Sequence, residues 1–362
     1  MSVDDAIVRR LAAQTGLSPI TTRILLSRGI DTPAGVRAFL EPSLERDWPA
    51  TADIPGMDAA ADRVARAIQG GEHVVVFGDF DLDGISAAAT AALGLEAIGA
   101  RVDATVPHRF TEGYGLSEAA LERVIGMDPA LVVTVDCGIS NAAEVEMLRM
   151  RGIDTVITDH HEPGPDVPQG VPVADPKLAE GTPPLAGAGV ALALVRAVGE
   201  RLGKPDVWRS LTDLAMLGTV ADLVPLTGAN RALVADGLAA VRREPRPGLA
   251  ALAAAAGVDA AALTSEQVAF ALAPRLNAAG RMADPAIALA LLRSSDPTEA
   301  TTLANALDEH NRLRQAAEAD LLELALAEAA RVYRPGDRVL VVAGPDWHEG
   351  VRGIVAARRV NR

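Results

Sequence analysis

Four short apolar runs alternate with helix-like segments in the first half of the chain. The runs cover residues 74–77, 102–106, 131–135 and 155–157, and the segments 86–95, 117–124 and 142–151 separate them. Short apolar runs that alternate with helices are typical of parallel strands buried on both faces. We therefore predict an α/β fold with a mostly parallel sheet covered by helices on both faces. Ligands of such sheets bind at the carboxyl ends of the strands.

The rest of the chain reads mainly as helices. Residues 1–47 predict short helices, and residues 56–72 predict an amphipathic helix that ends at its two glycines. Further helices are predicted over 189–202, 207–220, 230–243 and 267–272. A long helical pattern runs from about 284 to 332 with a light break at "SSDPTEA", and we interpret it as a strut between domains. Residues 338–360 then predict a strand, a loop and a helix.

Acids and imidazoles follow several of the predicted strands. "GDFDLDG" follows the first, "DCG" the third and "DHHEP" the fourth, and one more acid lies in a turn after a helix. Taken singly, a strand-end aspartate is most often a cap or turn residue, and adjacent histidines more often pack or face solvent. Carboxylates gathered at one sheet edge, however, repel one another unless a divalent cation neutralises them. The residues concerned are Asp79, Asp81, Asp83, Asp136, Asp159, His160, His161 and Asp222.

These ligand types indicate which metal and which chemistry to expect. Carboxylates with one or two imidazoles suit Mn²⁺ or Mg²⁺, and the histidines favour Mn²⁺. More carboxylates than one ion needs predict two ions that share a bridging aspartate, an arrangement used in phosphoester hydrolysis. No CxxC motif is present, so a structural zinc site is not supported. Cys137 is disfavoured as a nucleophile because it adjoins an expected ligand and has no evident base.

Three other stretches offer groups that bind phosphate. "PHRFTEGYGLS" contains His108, Arg109 and Tyr114; "APRLNAAGRM" contains Arg275, Asn277 and Arg281; and "PDWHEGVRG" contains His348 and Gly350 near a helix start. Isolated arginines and glycine-rich turns are most often solvated surface or caps. The formal net charge is −14, yet residues 331–362 carry seven arginines against three acids. Positive charge is therefore segregated, as binding a polyanion requires.

Composition limits the class of protein further. A chain of 362 residues is long enough for two or more domains. No apolar run reaches the length of a membrane span, and the N-terminus has no apolar signal core. Cys137 is the single cysteine, which excludes an internal disulfide and fits a reducing compartment. We therefore expect a cytoplasmic chain with no membrane partner.

Seven motifs, taken in order, resemble a known family. "GDFDLDG", "HRFTEGYGLS", "VDCGIS", "TDHHEP", "LGTVADLVPL", "PRLNAAGRM" and "WHEGVRGIVAAR" resemble the motif series of the DHH phosphoesterases, and among them the RecJ family of single-strand-specific 5′→3′ DNA exonucleases. The resemblance covers nearly the whole chain. It implies an N-terminal lead-in over 1–49, a DHH catalytic domain over 50–284, connecting helices over 285–332 and the start of a smaller α/β DHH-associated domain over 333–362. It also implies that this last domain is incomplete and that the family's OB-like module is absent.

The resemblance also implies roles for the residues. Asp81, Asp83, Asp136, His160 and Asp222 would bind two Mn²⁺ or Mg²⁺ ions, with Asp79 and His161 as direct or neighbouring ligands. Arg109, Arg275, Asn277, Arg281 and His348 would hold phosphates of single-stranded DNA, and 5′-mononucleotides would be released in DNA repair and recombination. A single-strand-binding protein and a helicase are candidate partners, and we expect a monomer.

Two other functions remain open on the sequence. One is another DHH-family phosphodiesterase, such as a nanoRNase, a cyclic-dinucleotide hydrolase or a pyrophosphatase. The other is a non-catalytic DNA-binding scaffold of the Cdc45-like type. The complete set of expected ligands favours an enzyme over the scaffold.

Overall fold

The computed structural model describes residues 4–360, so the ends of the predicted lead-in and of the last domain, residues 1–3 and 361–362, lie outside the described residues. The helices are α1 (Asp5–Thr15), α2 (Pro19–Ser27), α3 (Pro33–Leu40), α4 (Leu44–Asp47), α5 (Met57–Gly70), α6 (Leu82–Ile98), α7 (Glu118–Ile125), α8 (Ala142–Met150), α9 (Gly187–Arg201), α10 (Thr212–Ala221), α11 (Gly228–Arg243), α12 (Pro247–Ala255), α13 (Ser265–Gln267), α14 (Ala273–Met282), α15 (Ala286–Arg293), α16 (Pro297–Val332) and α17 (Glu349–Val360). The strands are β1 (His73–Phe77), β2 (Arg101–Thr105), β3 (Leu131–Val135), β4 (Asp154–Thr158) and β5 (Val173–Ala174).

The five strands form one parallel sheet in the order β2-β1-β3-β4-β5. In the central register, Val75 of β1 lies beside Asp103 of β2 and Val132 of β3. The four predicted strands are confirmed. The fifth, β5, has two residues and pairs with Ile157 and Thr158 of β4, so its hydrophobic pattern is too short to detect from the sequence.

Helices cover both faces of the sheet, as predicted. Val74 and Val76 point into the larger core, which contains side chains of α5, α6, α9 and α10. Val75 and Phe77 point into a smaller core on the other face, where α7 and α8 contribute Leu121 and Leu148. Each fully buried aliphatic side chain of this kind contributes about 1.5–3 kcal/mol.

Helix α6 is the buried centre of the larger core. Apart from Leu93, Glu96 and Ala97, its side chains are buried, and most are small. Small residues let the neighbouring α9 approach closely: a Cβ at Gly94 would overlap Val195. Because α6 starts directly after β1, this packing holds its first turn at the carboxyl end of the sheet.

The helical region differs from the prediction in detail. The predicted helix over 207–220 is a short 3₁₀ turn (Val207–Leu211) followed by α10, and α12 was not predicted. The segment predicted over 267–272 is a π-helix, Val268–Leu272, that runs into α14. The long pattern over 284–332 is confirmed with its break at "SSDPTEA": it forms α15 and α16, separated where Asp296 caps α16 and Pro297 occupies its first turn.

The prediction of a strand near residues 338–343 is wrong. This segment has no strand conformation, and Val339 and Val341 are each 78% exposed. An isolated strand needs a hydrogen-bonding neighbour, and no part of residues 4–360 pairs with it. The predicted helix does form: α17 packs on the second half of α16 through Val351 and Val355.

The N-terminal helices form a small core of their own. Leu11, Leu25 and Val36 of α1, α2 and α3 are buried together. Ser18 and Thr32 cap α2 and α3, each followed by a proline, as the sequence pattern indicates. Across residues 4–360, no helix combines the length and the apolar character that spanning a bilayer requires.

Candidate metal centre and adjoining cleft

The loop after β1 brings three aspartates to the carboxyl edge of the sheet. Asp81 caps α6, its Oδ1 accepting hydrogen bonds from the Asp83 and Gly84 amides at 2.9 and 3.2 Å. Gly84 allows the loop to fold onto the helix, since a Cβ there would overlap the backbone of Asp79. Asp79 is 2% exposed and its Oδ1 has no hydrogen-bond partner. Burial, together with the charge of Asp81, raises the pKa of Asp79 to about 7.

Asp83 is buried in the first turn of α6 and faces the start of α9. Its two carboxylate oxygens accept hydrogen bonds from the Gly187 and Ala188 amides at 2.7 and 2.9 Å. These amides belong to a helix N-terminus, which favours a negative charge. Burial and the neighbouring Asp81 nevertheless raise the pKa of Asp83 to about 8. The carboxylate is therefore fixed in position but not neutralised by any cationic side chain.

Asp136 lies directly after β3, at the centre of the acidic group. Its backbone φ of 62° turns the chain sharply out of the strand, a conformation that aspartate tolerates. A Cβ at Gly187 would overlap its carboxylate, so only glycine permits this approach. Burial, followed by the charges of Asp83 and Asp81, raises the pKa of Asp136 well above its ordinary value.

The two histidines follow β4 and are held by Asp159. The Asp159 Oδ1 accepts hydrogen bonds from the amides of His160 and His161, and lies 2.7 Å from His161 Nδ1. Although burial opposes ionisation, these bonds and that from the Ile139 amide hold the pKa of Asp159 below its ordinary value. Asp159 thus fixes the backbone of both histidines and orients the His161 imidazole, a role that sequence reasoning did not assign although it directly precedes the histidine pair.

His160 lies among the acids of the other strands. Its Nε2 is 2.9 Å from Asp136 Oδ1 and 3.6 Å from Asp83 Oδ2, while its Nδ1 is 3.8 Å from Asp222 Oδ2. The shortest contact is not aligned as a hydrogen bond, so Asp136 Oδ1 stays without a hydrogen-bond partner. Burial lowers the pKa of His160 to about 4, so the imidazole is neutral and has a lone pair for a cation.

Three overlapping sets of ligand atoms result, each with its atoms within 4.8 Å of one another. Asp136 belongs to two of them and His160 to two. The sets are Asp79, Asp81 and Asp136; Asp136, His160 and His161; and Asp83, His160 and Asp222. We call the seven residues of these sets the acidic rim. Unpartnered carboxylate oxygens at Asp79 and Asp136, and a neutral imidazole between carboxylates, fit divalent cations bound side by side.

Aromatic and basic side chains surround the rim. The Arg109 guanidinium lies 5.0 Å from the centre of the Phe80 ring, and Tyr114 contacts the same ring edge-on at 5.9 Å. Phe110 contacts both His108 at 5.9 Å and His348 at 6.0 Å, so it joins the loop after β2 to the start of α17. Phe80 and Phe110 were not singled out in the sequence, where a lone phenylalanine carries no pattern.

The residues predicted on α14 have different surroundings. Arg275 Nε donates to Asp308 Oδ1 at 2.9 Å, and Asn277 Oδ1 accepts from the Leu82 amide at 2.9 Å. Arg281 donates to the Gly350 carbonyl at 3.1 Å and has no ion-pair partner in the described part of the chain. Arg281 is therefore the α14 group that is free to meet an anion, while the other two are engaged with the protein.

Gly350 and His348 are brought together at the start of α17. The Gly350 amide donates to His348 Nδ1 at 3.1 Å. A Cβ at Gly350 would overlap the Arg281 backbone, which explains the glycine.

Cys137, next to the rim ligand Asp136, is not available as a nucleophile. Its thiol is buried, and burial raises its pKa well above the ordinary value. A thiol held protonated is a poor nucleophile, in agreement with the sequence argument.

Comparisons with known proteins agree with this geometry. Residues 73–219, which contain the sheet and most of the rim, match the DHH family, N-terminal domain. The chain is 39% identical to a Bacillus subtilis protein named single-stranded-DNA-specific exonuclease RecJ, over 99% of this chain and 45% of that protein. The crystal structure of Thermus thermophilus RecJ in complex with Mn²⁺ superposes with a TM-score of 0.86 at 35% identity, over 99% of this chain and 51% of that one. A crystal structure of exonuclease RecJ bound to manganese gives a TM-score of 0.78 at 39% identity, over 86% of this chain and 78% of that chain.

This chain belongs to the RecJ family of DHH proteins. It spans about half the length of the Bacillus subtilis relative and of the Thermus thermophilus crystal chain.

Proposed function

We propose that the chain is a metal-dependent exonuclease that degrades single-stranded DNA in the 5′→3′ direction to 5′-mononucleotides, in DNA repair and recombination. The observation that carries the proposal is the acidic rim, which gathers six carboxylates and imidazoles from three strand ends and a seventh group, Asp222, after α10. Relatives described as binding manganese, and as single-stranded-DNA-specific exonucleases, support it.

Two Mn²⁺ or Mg²⁺ ions are the proposed cofactors. Asp81, Asp83, Asp136, His160 and Asp222 would hold them, with Asp136 shared, and Asp79 and His161 would contribute directly or through neighbours. When bound, such a pair of ions activates water and stabilises the leaving oxygen of a phosphodiester. Asp159 keeps the backbone of both histidines and the His161 imidazole in place. His161 Nδ1 is engaged with Asp159, which leaves its Nε2 to exchange a proton.

The groups around the rim would bind the DNA chain. Arg109, Arg281 and His348, with His108 and Gly350, are proposed to meet phosphates, and Tyr114, 59% exposed, to contact a base or sugar. Asn277 and Arg275 have protein partners, so we propose that they position α14 and the first turn of α6. The protein needs few contacts with base edges, because it would select DNA for being single-stranded and not for its sequence.

We propose the following division of the chain. Residues 1–49 form the lead-in, 50–284 the catalytic domain, 285–332 the connecting helices and 333–362 part of a further domain. Single-stranded DNA is the proposed ligand, with a single-strand-binding protein and a helicase as candidate partners of a monomeric, cytoplasmic enzyme.

Labelled oligonucleotides test the proposal. With Mn²⁺, a 5′-labelled single strand should release labelled mononucleotide at once, while a 3′-labelled strand should shorten gradually. A blunt duplex of the same sequence is the control and should resist. Degradation that starts from the 3′ end, or equal digestion of the duplex, would contradict the polarity and the strand preference.

A further inference from the structure

Two large apolar side chains are exposed beside the rim. Leu223 is 84% exposed and Phe270 is 79% exposed, more than any other large hydrophobic residue in the range 4–358. Both line one cleft of about 230 Å³ between α10, the π-helix, α14, α16 and α17. We call this the Leu223–Phe270 cleft. A pair of exposed apolar side chains that shares a cleft indicates a binding surface more strongly than scattered single residues do.

The local backbone of both residues is unusual. Leu223 has a φ of 59°, in the left-handed region that leucine rarely adopts. Phe270 lies at the centre of the π-helix Val268–Leu272, a conformation that is rare and often found at functional sites. Neither side chain takes part in a hydrophobic core of the fold. Folding therefore gains little from either conformation, which is consistent with selection for a ligand.

The polar side chains of the cleft are one amide and two guanidinium groups. Asn277, Arg281 and Arg314 line it together with Ile354 of α17. Arg314 donates to Glu318 Oε2 at 2.7 Å and to Asn311 Oδ1 at 2.8 Å, whereas the only hydrogen bond described for Arg281 goes to the Gly350 carbonyl. Burial lowers the pKa of Arg281, and the nearby charges of Arg109 and Arg314 lower it further. The cleft thus combines apolar side chains with excess positive charge.

The cleft adjoins the acidic rim on two sides. Leu223 directly follows Asp222, whose carboxylate lies 3.8 Å from His160. Asn277 hydrogen-bonds to Leu82, the residue after Asp81. A nucleotide with its phosphate at the rim could therefore extend its base towards the cleft.

We propose that the Leu223–Phe270 cleft binds the nucleobase of an unpaired nucleotide next to the phosphate held at the rim. This inference rests on the proposed function. Every base presents an apolar face, so contact with leucine and phenylalanine side chains is independent of sequence. A base within a duplex is stacked and paired, and cannot enter. The cleft would thus contribute to the requirement for single-stranded DNA.

Serine substitutions and abasic oligonucleotides test this base contact. The variants are Leu223→Ser and Phe270→Ser, and the matched control is Ile20→Ser, which removes a 75% exposed side chain from the distant α2. On a normal single strand we expect each cleft variant to lower kcat/KM about tenfold, mainly through KM, as loss of a base contact would. The control should behave as wild type, and thermal melting should show that all variants fold.

The abasic series decides whether the contact is made to a base. Oligonucleotides lacking the base at the first, second or third nucleotide are cleaved by each protein. At one of these positions, removal of the base should lower the activity of the wild type. It should not lower the activity of the cleft variants further, because these variants already lack the contact with that base. Serine variants equal to the wild type on normal DNA, or a further loss at all three positions, would overturn the proposal. A further loss at all three positions would instead indicate that the cleft binds a protein segment or that its side chains have a structural role.

A fluorescence measurement separates failure of this inference from failure of the proposed function. If the wild type releases no nucleotide, the proposed function is wrong for this chain. The base contact is then tested by binding alone, with 2-aminopurine placed at each of the first three nucleotides. A change in fluorescence on binding to the wild type that Phe270→Ser removes would support the cleft. Absence of any change, or a change that Phe270→Ser leaves unaltered, would reject it.

Discussion

Two groups of charged side chains in this molecule have opposite organisation. In the acidic rim, Asp79 and Asp136 have carboxylate oxygens without hydrogen-bond partners, and no arginine or lysine forms an ion pair with any described rim acid. Along α16, by contrast, the buried acids are paired: Asp308 with Arg275 at 2.9 Å, and Glu318 with Arg314 and Arg358, each at 2.7 Å. Charges of the second kind position helices. Carboxyls of the first kind are tolerated where they are protonated or where a cation binds.

The largest effect is expected at the shared rim ligand. Asp136→Asn should lower activity by about a thousandfold or more, because an amide replaces the carboxylate that two sets of ligands share. Without metal, the variant should be at least as stable as the wild type, since the substitution removes a carboxylate that the neighbouring acids repel. Rates on labelled single strands and thermal melting in chelator measure the two effects. The matched control is Asp128→Asn, an exposed aspartate with a φ of 54° in the loop before β3. Retained activity in Asp136→Asn would contradict its place as a ligand.

The paired charges should show the reverse behaviour. Asp308→Ala leaves Arg275 partly buried without its carboxylate, so we expect unfolding to become easier by about 3 kcal/mol. Denaturant unfolding measures this change. The rate per folded molecule should stay within a few-fold of wild type. A double variant, Asp308→Leu with Arg275→Met, should regain most of the stability, and a failure to do so would mean that Arg275 has a role beyond the ion pair.

Stability of the metal-free protein should fall as the pH rises from about 4 to about 8 and then level off. Asp79 and Asp83 have pKa values of about 7 and 8, above the unfolded value of 3.8, so over this range the folded state retains protons that the unfolded chain has already lost. His160 offsets part of the fall below pH 6.5, because its pKa is about 4 in the folded state against 6.5 in the unfolded state. Mn²⁺ should therefore raise the melting temperature more at pH 8.5 than at pH 6.5. An equal rise in melting temperature at both pH values would show that the rim acids are already ionised at pH 6.5.

The smallest expected effect concerns Asn277. Asn277→Ala removes the acceptor for the Leu82 amide at the start of α6, an interaction worth about 1 kcal/mol in helix caps. We expect the Mn²⁺ concentration for half-maximal activity to rise about fivefold, with little change in KM for DNA. Asn277→Asp keeps the acceptor and should restore the metal dependence. A change in KM alone would instead indicate direct contact with the substrate.

Local sequence patterns were sufficient for four of the five strands and for bringing the rim residues to one edge of the sheet. The apolar runs predicted β1 to β4, and the aspartates and histidines that follow the strands lie together at one edge. Where a pattern needed a distant partner, prediction failed. The apolar residues 338–343 have the composition of a strand, but no strand pairs with them in residues 4–360.

The sequence by itself determined four of the five strands, most of the helices and which acids follow the strands, because the periodicity of apolar residues is a local property. Only the tertiary structure decided which charges have partners. Asn277 and Leu82, 195 positions apart, form one cap, and Arg275 finds Asp308 across two helices. It also decided that Leu223 and Phe270 share a cleft. Such pairings depend on how distant segments pack, and no local pattern records them.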